Sequence, residues 1–159
     1  LGNCRFFLGS STGTIALPPL FGVPVAVANC LPYTVDPLTR RSFYTPKLLK
    51  ERRTGRMLHF KEVFDYLGGK DAFISPPAAF DQPSIYNNDI IELVDNTEDE
   101  ILDLTLDMLD RDVGIPLNPD AAQLQALFKE IFYQSLPDFI DHGPCIGPQF
   151  ALKYRGLIE

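Results

Sequence analysis

The sequence predicts an α/β fold, a small parallel sheet flanked by helices, and three observations carry that reading. Two short apolar runs, residues 6–8 and 23–28, flank a Gly- and hydroxyl-rich turn and a short apolar segment, which reads as strand, turn, short helix, strand. The second run, Val25-Ala26-Val27-Ala28, is apolar on both faces, as suits a parallel strand covered on both sides. The second half of the chain then changes to helical spacing of its apolar residues.

The first unit is a βαβ motif, and such motifs place ligands beyond the carboxyl ends of their strands. Its turn reads Gly9-Ser10-Ser11-Thr12-Gly13-Thr14. Gly9 and Gly13 permit a tight bend and close approach of a ligand to the backbone. The four hydroxyls of Ser10, Ser11, Thr12 and Thr14 can donate to phosphate oxygens. A helix starting near Thr14 would turn its unpaired amides toward an anion. No Lys follows the second Gly, and the G-x-G-x-x-G spacing is absent, so neither a Walker loop nor a dinucleotide fingerprint is present. Two readings stay open on residue chemistry: an anion site, or a Ser/Thr cap after a buried strand. Pro18 and Pro19 keep the helix short, with a break near Leu17. Pro24 opens the second strand, where a missing amide does least harm.

Residues 29–47 read as a loop punctuated by Pro32, Pro37 and Pro46, leaving the second strand on the ligand side and carrying Arg40, Arg41 and Lys47. Residues 47–56 read as a short basic helix or turn closing at Gly55. Residues 58–67 space Phe60, Val63, Phe64 and Leu67 for a helix stopped by Gly68 and Gly69. Three prolines make residues 70–89 irregular, and residues 90–94 can form one more strand. Thr97-Glu98-Asp99-Glu100 is a capping box, and Ile101, Leu104 and Met108 continue it as an apolar stripe. Asp103, Asp107 and Asp110 read as the solvated face of that helix rather than as a metal site. Gly114 and Pro116 end it. Asn118-Pro119 begins the next helix as N-cap and N1, and Leu124, Leu127, Phe128, Ile131 and Phe132 form its buried stripe. Residues 138–148 are a Gly/Pro-rich turn, and residues 150–158 a last short helix.

A chain of 159 residues, 45% hydrophobic and 22% charged, suits one globular domain with a real core. No apolar run reaches the ~20 residues of a membrane helix. Three cysteines without a C-x-x-C pair suggest neither zinc nor a redox couple, and reduced thiols fit a cytoplasmic location. Cys4 and Cys30 flank strands and read as buried small hydrophobes. The net charge of −7 divides unevenly: residues 1–61 carry +7 and the remainder −14. Taken alone, the basic cluster reads first as a solvated loop; as a partner surface it suits an acidic partner, and a small phosphorylated ligand fits better than double-stranded nucleic acid, because the domain is acidic overall and lacks aromatic–basic interleaving. Asp141-His142 is the one evident acid/base pair, in a turn where a lone His is more often structural; His59 ranks below it.

Taken in order, RFFLGSSTG, LFGVPVAVAN with Pro32 soon after, TPKLLK, GRMLHFKEV, ELVDNTEDEI and IGPQFALKYRGLI resemble the C-terminal part of a bacterial family of predicted GT-B glycosyltransferases. The first motif also resembles the donor loop of heptosyltransferase-like enzymes. The resemblance implies a partial Rossmann-like domain binding a nucleotide-sugar donor. Ser10, Ser11, Thr12, Gly13 and Thr14 would lie against the donor diphosphate, with Asn29 nearby. Arg40, Arg41 and Lys47 would neutralise the departing diphosphate, without metal or cofactor. The Asp95-Asn96 segment would be a nucleotide-side contact, though capping explains it without one. The chain is too short for two such domains, so residues 1–159 are expected to be one donor-binding domain, a fragment without the acceptor domain and inactive alone. The acceptor is unspecified, and self-association through an exposed sheet edge or the missing-domain face is expected. The alternatives are a non-catalytic phosphate-ligand module and an interaction domain using the acidic helix.

Overall fold

The computed structural model describes residues 3–31, 40–67, 90–135 and 145–159. Its centre is a four-stranded parallel sheet of β1 (Phe7–Ser10), β2 (Val25–Cys30), β3 (Phe43–Pro46) and β6 (Cys145–Ile146), in the spatial order β1-β2-β3-β6. This is the α/β, Rossmann-like arrangement expected from the sequence. Among the described residues β1 lies at an edge of the sheet. A 3₁₀ turn (Gly13–Ala16) and the four-residue α1 (Leu17–Leu20) connect β1 to β2. Pro18 sits in the first turn of α1, where a proline costs least.

Two expectations for the middle of the chain are corrected. Residues 43–46, read as loop, form a central strand in which all four residues are buried. Residues 48–51, within the stretch 47–56 expected as a short basic helix or turn, form β4 (Leu48–Glu51), antiparallel to β5 (Ile91–Val94) in a separate two-stranded sheet. The turn at Gly55, with φ +72°, follows as expected.

The helices are α2 (Phe60–Leu67), α3 (Glu98–Asp112), α4 (Pro119–Ser135), α5 (Pro148–Lys153) and α6 (Arg155–Ile158). The capping box of α3 is complete: the Thr97 hydroxyl accepts from Glu100 N, and the Glu100 carboxylate accepts from Thr97 N. The Asn118 side chain caps α4 by accepting from Asp120 N.

Strand alternation decides which helix covers which face. Val25 and Val27 of β2 join Tyr44, Ile146 and a group of aromatic rings from α2, α4 and α5. In that group Phe128 lies 4.9 Å from Phe60, 5.4 Å from Phe64 and 6.4 Å from Tyr44, edge to face. Ala26 and Ala28 point the other way, to Leu104 and Met108 of α3. Their small size lets α3 lie close on the sheet. Among the described residues no helix is long and apolar enough to cross a membrane.

Candidate functional site

Three chain segments meet at the carboxyl end of the parallel sheet. The first is the turn after β1. Ser10, Thr12, Gly13 and Thr14 are exposed, and Ser11 is half-buried. The Thr12 and Thr14 hydroxyls lie 2.7 Å apart, so one proton is shared between them and the other remains to donate outward. Thr12 N donates to Ser10 O and Ile15 N to Thr12 O, closing the bend. Gly13 and Thr14 supply the first amides of the 3₁₀ turn, which have no acceptor within it. Ser11 serves a different purpose from its neighbours. Its hydroxyl accepts from Leu31 N at 3.2 Å and bonds the Cys30 thiol, tying the turn to the end of β2. Burial pushes that thiol up to about 12, with the Ser11 hydrogen bond opposing, so Cys30 is an inert core group, as expected. Cys4 was expected to be buried and is exposed instead: it precedes β1, outside the packed layer.

The second segment is the end of β2. Asn29 has φ +53°, the described non-glycine residue in the left-handed region. The pairing of β2 with β3 shifts register between Val27 and Cys30, around this residue. Asn29 is held by reciprocal bonds to the third segment, between β5 and α3. Asn29 N donates to Asn96 Oδ1, and Asn96 N donates to Asn29 Oδ1, both at 2.6 Å. Asn96 Oδ1 also accepts from Thr45 Oγ1 at 2.9 Å, and its Nδ2 donates to Pro46 O at 2.9 Å. One buried amide thus fixes the ends of β2 and β3 to the start of α3. Asn96 was expected to act in capping; it acts as this latch, and Thr97 alone caps. No local pattern signals the role, because its partners lie 50 to 67 residues away.

Lys47, just after β3, pairs with Asp95, so the structure brings a cation to the same end of the sheet as Ser10, Thr12 and Thr14. Arg40 and Arg41 are not brought there. They precede β3, and in a parallel sheet that is the end opposite the turn. Arg41 lies 3.6 Å from Asp112, which also takes a 2.7 Å bond from Arg5 ahead of β1. Arg40 O accepts from Arg111.

Glu100 is buried at the start of α3. It accepts from Lys153 Nζ at 2.8 Å and from the Tyr154 hydroxyl. Burial alone would raise its carboxyl, but the hydrogen bonds from Lys153, Tyr154 and Thr97 outweigh it and hold the group below its ordinary range.

Asp107, expected on a solvated face, is instead buried, with 7% of its surface exposed. Its Oδ2 accepts from Gln149 N at 3.1 Å, and a Cβ on Gly147 would stand 3.4 Å from that oxygen. Burial pushes its carboxyl from 3.8 up to about 6; the Gln149 amide opposes, and Asp103 and Asp110 add to the rise. Asp110 is exposed, as expected. Among the described residues no three His, Cys, Asp or Glu side chains gather as a metal site. Asp141 and His142 lie outside the described residues. No family model matches the chain, and no curated protein or solved structure is recognisably similar to it.

Proposed function

We propose that this chain is the donor-binding part of a GT-B glycosyltransferase, holding the diphosphate of a nucleotide sugar at the turn after β1. The observation that carries the reading is the openness of that turn. Ser10, Thr12, Gly13 and Thr14 are exposed at the carboxyl end of a parallel strand, where α/β sheets take ligands. Amides without an acceptor in the turn and one hydroxyl proton left over by the Thr12–Thr14 pair suit phosphate oxygens. Lys47 at the same end would exchange part of its Asp95 interaction for the diphosphate as the leaving group gains charge. The placement of Arg40 and Arg41 removes them from that task. A phosphate-binding module without catalysis would use the same turn, and transfer assays on the chain joined to an acceptor domain separate the two.

Titration calorimetry with UDP, GDP and ADP tests the reading. At least one is expected to bind, and replacing Thr12 and Thr14 together by Ala is expected to weaken it about tenfold, the loss of one charge-assisted hydrogen bond. Ser11 is a poor probe, because its hydroxyl holds β2. Absence of heat with all three nucleotides, or unchanged affinity in the double variant, would overturn the proposal.

A further inference from the structure

A cavity of about 440 Å³ opens at the other side of the domain, between the end of α3, the following loop, the start of α4 and residues 145–149. It is separate from the Ser10–Thr14 turn: its wall includes Phe43 and Cys145, the first residues of β3 and β6, at the amino ends of the strands. Its size falls within the range of small-molecule pockets, about 300–1,000 Å³. Ile115, Pro116 and Leu117 form an apolar mouth, with Ile115 and Leu117 exposed.

The inner wall is dominated by hydrogen-bond acceptors. Asp107 and Gln125 are each only 7% exposed, and each has used one polar atom: Asp107 Oδ2 takes the Gln149 amide, and Gln125 Nε2 donates to Ile146 O. Asp107 Oδ1 and Gln125 Oε1 have no hydrogen-bond partner among the described residues. No described buried side-chain oxygen or nitrogen is left without a partner, so these two oxygens reach open space, and the open space beside them is the cavity. Asp110 adds a carboxylate nearer the mouth. Among the described lining residues the cation is Arg111, whose guanidinium carbon lies 4.5 Å from the centre of the Phe43 ring and which donates to Arg40 O. Among the described residues, two carboxylates and an amide oxygen therefore share this wall with one already engaged guanidinium.

We infer that this cavity is a binding site for a small primary ammonium ion carried on an apolar body. An ammonium has three donors and no acceptor, which matches Asp107 Oδ1, Gln125 Oε1 and Asp110. Its apolar body would fill the space between Ile115, Pro116 and Leu117. A neutral alcohol of the same shape offers one donor and no charge, and an anion meets carboxylates. The inference stands apart from the donor-site proposal and shares no residue with it.

The test is a ¹H–¹⁵N titration of the 159-residue chain with benzylamine, benzyl alcohol and benzoate, each to millimolar concentration. Benzylamine is expected to give saturable shifts at Phe43, Ile115, Leu117 and Gln149, with the alcohol and the acid giving none or far weaker ones. Asp107→Asn keeps an acceptor for the Gln149 amide and removes the charge; it should weaken benzylamine about tenfold. Asp110→Asn, at an exposed position, should weaken it about threefold and guards against any folding defect in the first variant. The Thr12/Thr14 double variant should bind benzylamine like the wild type. Equal binding of amine and alcohol, shifts elsewhere on the surface, absence of saturable shifts, or full affinity in both Asp variants would each overturn the inference.

Discussion

Replacing Asn96 by Ala is the sharpest probe of how the carboxyl end of the sheet is held. The substitution removes three hydrogen bonds: those accepted from Asn29 N and Thr45 Oγ1, and that donated to Pro46 O. The Asn96 backbone amide keeps its bond to Asn29 Oδ1. A net hydrogen bond is worth about 1 kcal/mol, and buried partners left unpaired add to the loss, so a destabilisation of about 3–5 kcal/mol is expected. In a domain of this size that lowers Tm by about 6–20 °C, at about 2–4 °C per kcal/mol. Urea unfolding followed by circular dichroism measures it, and the midpoint should fall with an unchanged slope. A paired measurement isolates the strain at φ +53°. Asn29→Gly and Asn29→Ala lose the same side-chain bond, but only Ala resists the left-handed backbone, so Ala should cost about 1 kcal/mol more. A loss below about 1 kcal/mol for Asn96→Ala would refute the latch, and equal costs for Gly and Ala at position 29 would refute the backbone strain there.

Asp107→Asn should change the pH dependence of stability. The folded carboxyl sits near 6 against an ordinary 3.8, raised chiefly by burial, with Asp103 and Asp110 on the same helix assisting and the Gln149 amide of α5 opposing. The folded state thus holds this proton more tightly than the unfolded chain. Its contribution is fully present below about pH 4 and is lost as pH rises through about 6. Asn does not titrate, so the variant should gain on the wild type across that window, by about 1–3 kcal/mol at neutral pH. Parallel stability curves from pH 4 to about 7 would contradict it. Phe128→Ala should cost about 3–5 kcal/mol in thermal or urea unfolding, because the ring fills the space between Phe60, Phe64 and Tyr44; a cost under about 1.5 kcal/mol would show that these rings collapse into the gap.

Much of this protein was set within short stretches of its sequence. β1, the open turn, β2, the Thr97–Glu100 capping box, α3 and α4 follow from period, caps and breakers, which act between residues a turn or less apart, whereas Cys145–Ile146, expected within a turn, is β6, and the single helix expected over 150–158 is divided into α5 and α6. Which polar residues are buried was decided by tertiary structure. Asp103, Asp107 and Asp110 belong to one polar pattern along α3, yet Asp107 alone is sealed against Gly147 and Gln149, because α5 packs there. Asn96 next to a cap looks like part of the cap until β2 and β3 end beside it. The buried strand 43–46, ending in Pro46, carries too little alternation to declare itself, and only its position between β2 and β6 makes it central. Arg40 and Arg41 were grouped with the turn by sequence proximity to β2; the parallel course of β3 puts them at the opposite end. Local forces act through neighbouring backbone and fix the type of element. Burial and partnership depend on which distant surfaces meet, and the packing of the layers settles that.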